Sequence, residues 1–132
     1  MIFIDSNIPM YLTGGPHPHK SDAQVILEKI VASRERLVTD AEVLQEMLHR
    51  FSAIKKKEAI AETIRLLLDI ADEVFPIEKR DALRAGEILH NPADLSARDA
   101  LHVAIMERYG VRTVFSFDAD FDRWPGISRI HG

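Results

Sequence analysis

Apolar residues along this chain fall into short clusters with two kinds of spacing. Met1 to Ile4 is an uninterrupted apolar run that stops at Asp5-Ser6-Asn7. That pattern predicts a buried strand entering a turn, with Pro9 in the first turn of a short helix behind it. Gly14-Gly15-Pro16-His17-Pro18 reads as a loop, and Asp22 to Ser33 carries Val25, Ile26, Ile30 and Val31 at helical spacing. Leu37-Val38-Thr39 predicts a second strand. A helix from about Asp40 to Phe51 is expected to bury a stripe of Leu44, Met47, Leu48 and Phe51. Another from Lys55 to Ala71 presents Ile60, Ile64, Leu67 and Leu68.

The second half continues the alternation. Val74 to Ile77 reads as a strand, and Lys79 to Leu89 as a helix ending before Asn91-Pro92. Ser96 to Tyr109 reads as an apolar helix closed by Gly110. Thr113 to Phe117 and Ile127 to Ile130 complete the strands. Strands alternating with helices predict an α/β fold, a mainly parallel sheet covered by helices on both faces. At 132 residues, and without internal repeats or a linker, the chain is expected to form one domain over 1–132.

Composition narrows the chemistry. Without cysteine, neither disulfides nor thiolate metal sites are available. No aliphatic run approaches the roughly 20 residues that cross a bilayer. Met1 also leads straight into a strand with no basic stretch before it, so a cytoplasmic protein is expected. Net charge is −4, from 21 acids against 17 lysines and arginines. That disfavours a protein that holds nucleic acid by bulk positive charge, but not a nuclease whose acids are neutralised by cations.

The acids are not scattered at random. In open parallel sheets ligands bind beyond the carboxyl ends of strands. Asp5 follows the first strand, Asp40 the second, and Asp118 the strand near the end. Carboxylates there can converge, and they are the preferred ligands of Mg²⁺ and Mn²⁺. Each also has a structural reading. Ser6 or Asn7 could cap the first helix, and Thr39 with Glu42 matches a capping box. Glu46 lies off the apolar stripe of its helix, facing either solvent or a cleft. Ser96 and Asp99 form a capping-box variant, yet Asp99 opens a helix apolar on nearly every side, where an unpaired carboxylate is costly. Asp118, Asp120 and Asp122 alternate, but Arg123 and Arg129 stand where a helix-loop-helix calcium loop needs Gly and Glu. His17, His19, His49 and His102 read as ordinary loop or helix residues. Lys55-Lys56-Lys57 reads as a solvated run or a phosphate contact.

Four segments together resemble a PIN domain over nearly the whole chain. They are Ile2-Phe3-Ile4-Asp5-Ser6-Asn7, Val38 to Glu46, Leu95 to His102, and Phe115 to Phe121. The resemblance implies a three-layer α/β/α domain that cuts RNA or DNA with clustered acids and Mg²⁺ or Mn²⁺. It places Asp5, Glu46, Asp99 and Asp118 as catalytic metal-binding acids. Asn7, Ser116 and Asp120 take supporting positions, and Glu42 competes with Glu46. The short length is similar to VapC toxins, which implies an RNA substrate, a small antitoxin partner, a homodimer and a 5′-phosphate product. Arg34, Arg50, Lys55, Lys56 and Lys57 are expected to contact the RNA backbone. The rival readings are a PIN nuclease of RNA processing or of DNA, and a non-catalytic nucleic-acid-binding module. An aspartate phosphatase built on Asp118 and Asp120 lacks room for its later elements, since only twelve residues follow Asp120.

Overall fold

The computed structural model describes residues 1–131; Gly132, included in the one-domain expectation, lies outside them. Five strands form one sheet: β1 (Ile2–Ile4), β2 (Leu37–Asp40), β3 (Glu73–Phe75), β4 (Thr113–Phe115) and β5 (Ser128–Ile130). Their spatial order is β3-β2-β1-β4-β5, and every pairing is parallel. Ile2, Phe3 and Ile4 are buried on both faces of the central strand, as expected of a parallel sheet sandwiched between helices. All four residues of β2 are buried as well, two of them polar.

Six helices connect the strands: α1 (Asn7–Thr13), α2 (Lys20–Ala32), α3 (Ala41–Ala53), α4 (Ile60–Ile70), α5 (Lys79–Leu89) and α6 (Ala97–Tyr109). The chain moves one way from β1 through β2 to β3, then crosses back to β4. With right-handed crossovers, that reversal puts α1 to α4 on one face and α5 with α6 on the other. The helix contacts agree, since α1 packs on α2 and α4 whereas α5 packs on α6. The result is the expected three-layer α/β/α architecture.

Several local expectations are corrected. Thr39 does not cap α3. It sits inside β2 and donates its hydroxyl to the Ile4 carbonyl at 3.0 Å. Asp40 is the cap instead, accepting from the Val43 N–H at 2.9 Å, so Glu42 has no capping-box partner. The buried stripe of α3 is therefore rotated, with Val43, Glu46, Met47 and Phe51 inside while Leu48 is exposed. The Lys55–Ala71 helix is divided. Lys55 adopts a left-handed φ of 58°, a 3₁₀ turn spans Lys57–Ala59, and α4 begins at Ile60. Its inner residues are Thr63 and Leu67, and Leu68 faces out. The end of α6 is as expected: Gly110 takes the left-handed cap with φ 70°, where a side chain would be strained.

Candidate metal and active site

Strand order reverses at β1, which pairs with β2 on one side and β4 on the other. Loops leaving the carboxyl ends of β1 and β4 therefore diverge to opposite faces and open a crevice between them. Asp5 follows β1 directly, and Ser116, Phe117 and Asp118 follow β4. Asp40 closes β2 on the same edge. Helices α3 and α6 bring Glu46 and Asp99 to it from residues remote in sequence.

Asp5 is 4% exposed and heavily tethered. Its Oδ1 accepts the Ser6 N–H at 2.8 Å. Its Oδ2 accepts the Ser116 hydroxyl at 2.6 Å and the Asn7 amide at 3.2 Å. Asn7 also donates to Ser116 Oγ at 3.1 Å, and its own Oδ1 accepts the Phe117 N–H at 3.3 Å. Asn7 and Ser116 are thus both hydrogen-bonded to Asp5 and to each other. Ser6 does not cap α1; its hydroxyl donates to Glu46 Oε2 at 2.9 Å.

Behind Asp5 lies a triad that sequence reasoning did not assemble. His102, fully buried, donates from Nδ1 to Asp40 Oδ2 at 2.7 Å and from Nε2 to Glu46 Oε1 at 2.5 Å. Burial opposes a charge on His102, but the Asp40 carboxylate and the hydrogen bonds to Asp40 and Glu46 outweigh it and raise the imidazole well above its ordinary value. The same bonding overcomes burial at Glu46 and lowers its carboxyl. The triad is an imidazolium clamped by two carboxylates. Its sequence signal was faint: His102 stands one helical turn after Asp99, within the apolar run Ala100 to Met106.

Toward the opening, Asp99, Asp118 and Asp120 form a second group, with oxygens within 4.8 Å of one another, while Asp5, Glu46 and His102 form the first. Ser96 Oγ accepts the Asp99 N–H at 3.1 Å, so half of the expected cap forms. Among the described residues no hydrogen bond reaches the carboxylate oxygens of Asp99, although it is only 7% exposed. Burial, then the charges of Asp5 and Asp118, push its carboxyl up to about 7. Burial raises Asp5 too, with His102 and Ser116 opposing. An all-oxygen set with an unpartnered, strongly raised acid fits a hard divalent cation of the Mg²⁺ or Mn²⁺ kind.

Other expected residues separate by place. Glu42, half-buried in the first turn of α3, has its carboxyl raised chiefly by burial. Asp122 leaves the cluster to pair with Arg129 at 2.9 Å. Arg50 and Lys56 are exposed beside the crevice, lining a cavity that also includes Asn7. Arg34 lies in the connection before β2, at the opposite edge of the sheet from the acids.

The family model of the PIN domain matches residues 2–127. The chain belongs to the PIN-domain family. Its relatives place it with the VapC ribonucleases of that family. VapC ribonuclease Mb1869c of Mycobacterium bovis and VapC13 of Mycobacterium tuberculosis are each 52% identical to it over 130 residues, 98% of this chain and 99% of theirs. VapC23 of Mycobacterium tuberculosis is 35% identical over 118 residues, 89% of this chain and 93% of its own. The crystal structure of Mycobacterium tuberculosis VapC20, a sarcin–ricin loop cleaving toxin, shares the PIN fold with a TM-score of 0.80 at 21% identity over both whole chains. VapBC2 of Rickettsia felis aligns with a TM-score of 0.74 at 20% identity, over 98% of each chain.

Proposed function

We propose that this PIN-domain protein is a metal-dependent endoribonuclease and the toxin of a toxin–antitoxin pair. The observation that supports this most is the pair of acidic groups, Asp5 with Glu46 and Asp99 with Asp118 and Asp120, at the crevice where strand order reverses, with Asp99 feeling the charges of both Asp5 and Asp118. Ribonucleases 52% identical over nearly the whole chain supply the substrate class. A divalent cation bound there, Mg²⁺ or Mn²⁺, supplies Lewis acidity for phosphodiester hydrolysis.

The chain's own residues divide the remaining work. Asp5, Asp99 and Asp118 would hold the ion, with Asp120 beside them. Ser116 and Asn7 fix the rotation of Asp5 through its Oδ2, the usual duty of groups behind metal ligands. The Asp40–His102 pair fixes Glu46 next to Asp5, and each Glu46 oxygen keeps a further lone pair beyond its bond to His102 or Ser6. Arg50 and the Lys55–Lys57 run offer charge to the RNA backbone. An antitoxin protein is the expected partner, as in toxin–antitoxin complexes that share this fold. A homodimer is the expected assembly, and the exposed Ile77, Leu83 and Leu89 in and beside α5 give it apolar surface. No helix among the described residues is long and apolar enough to cross a membrane, and a cytoplasmic site of action agrees with an RNA substrate.

Incubating the purified chain with RNA tests the proposal. Cutting is expected with Mn²⁺ or Mg²⁺, with 5′-phosphate ends, and is expected to stop with chelator or in Asp5→Asn. Cutting by the Asp5→Asn protein at the unaltered rate contradicts the assigned site, and no cutting with either metal contradicts the activity.

A further inference from the structure

Four aromatic rings from two distant segments meet beside the acids. Tyr11 on α1 stacks on His17 with centroids 4.1 Å apart, and Phe117, next to Asp118, stacks on His19 at 4.3 Å. Tyr11 meets the Phe117 edge at 5.7 Å, and the two histidine rings are 5.3 Å apart. The rings thus make one continuous array. It starts at Phe117, whose N–H is held by the same Asn7 that holds Asp5, and it ends at His17, which is exposed.

The loop that presents His17 is held in place. Lys20 Nζ donates to the Gly14 carbonyl at 2.8 Å, and the His19 N–H donates to His17 Nδ1 at 3.1 Å, which fixes the rotation of the His17 ring. Pro16 and Pro18 restrict the backbone on either side. A Cβ at Gly14 would stand 2.9 Å from the Met10 carbonyl, so the loop leaves α1 by a path only glycine allows. Such a surface loses little freedom when a ligand lands on it.

Tyr11 and His17 form one wall of a cavity of about 530 Å³, Arg50 and Lys56 are among the residues lining the rest, and Met10, Phe51 and Ile54 make part of it apolar. That volume is in the range of small-ligand sites. No salt bridge among the described residues engages Arg50 or Lys56. An aromatic wall facing free cations suits a stacked base with its phosphate opposite, the way single-stranded nucleic acid is held. A protein segment would find no carboxylate along these walls to pair with its own cations.

We propose that the Tyr11–His17 wall and the Arg50–Lys56 side form a nucleotide subsite, where an unpaired base of the RNA stacks on His17 adjacent to the scissile phosphate. This deepens the ribonuclease reading and rests on it. The substrate is then RNA that is single-stranded next to the cut, and a base-paired duplex is disfavoured because its base must first be unstacked at a cost of about a few kcal/mol.

The test uses the full chain and a short single-stranded RNA carrying 2-aminopurine, whose fluorescence falls when it stacks. Affinity and quenching are measured with chelator present, and cleavage of the same RNA with Mn²⁺. The unaltered chain is expected to quench the probe. His17→Ala is expected to lose the quenching and about tenfold in affinity, with KM rising and kcat nearly kept, and His17→Phe to restore both. Arg50→Gln is expected to weaken binding and flatten its salt dependence while the quenching at saturation survives. If His17→Ala binds, quenches and cuts like the unaltered chain, the subsite is wrong and the ribonuclease stands. The subsite is equally wrong if His17→Ala loses only its complex with the antitoxin. If the unaltered chain neither binds nor cuts RNA, both readings fall together.

Discussion

Two clusters of carboxylates sit side by side in this protein and solve the same electrostatic problem in opposite ways. In the rear cluster, Asp40 and Glu46 are neutralised by His102, and their oxygens are used by His102, Val43 and Ser6. In the front cluster, no salt bridge among the described residues engages Asp99 or Asp118, and Asp120 meets only the exposed Arg123 at 3.3 Å; Asp99 answers by holding a proton up to about pH 7. A buried charge is tolerated only with a partner or after neutralisation. The rear cluster therefore carries its counter-charge within the chain, and on the proposed function the front one would be completed by a cation.

Removing the internal counter-charge should be the most damaging change. His102→Ala leaves two buried carboxylates without it, and the expected cost is about 3–5 kcal/mol in urea unfolding. A loss under about 1 kcal/mol would mean the triad is not an ion cluster. In the front cluster the corresponding change should do the reverse. Asp99→Asn is expected to lower metal-dependent cleavage by about a hundredfold or more while raising the melting temperature of the metal-free protein by a few degrees. A variant that is both less active and less stable would remove the contrast.

Smaller effects sharpen the same comparison. Ser116→Ala cuts the tether of Asp5 while leaving every acid present, and manganese affinity is expected to fall about 10–100-fold. The pH dependence of stability follows from Asp99, whose folded value of about 7 lies above its ordinary 3.8. The folded protein binds this proton more tightly than the unfolded one. The stabilisation is full below about pH 4 and is lost as pH rises through about 7. Thermal melts of the metal-free chain compared with Asp99→Asn across that window should converge at low pH. At neutral pH and above, the variant should be the more stable.

Much of this arrangement was legible in the sequence. The run Ile2-Phe3-Ile4 before Asp5, the helix ending at Gly110, and acids after parallel strands define both the sheet and its active edge, because strand ends and caps are written locally. The rear cluster was not legible, for a physical reason. A helical wheel cannot tell a solvated carboxylate from one facing a cleft, so it left Glu46 open between the two and turned Leu48 inward, whereas His102 supplies from 56 residues away the bond that keeps Glu46 inside. Thr39 and Glu42 likewise matched a capping box, but Asp40 beside them was the better acceptor for the Val43 N–H. Nothing in the sequence connects Tyr11, His17 and Phe117, because only the fold stacks them.

Calorimetric titration of the metal-free chain with Mn²⁺, in buffers of different ionisation enthalpy, tests the front cluster most directly. At about pH 6 close to one proton should be released for each ion bound, and at about pH 8 almost none, with the release abolished in Asp99→Asn. Binding with no proton release at about pH 6, or no binding at either pH, would contradict the assignment of these acids to a cation.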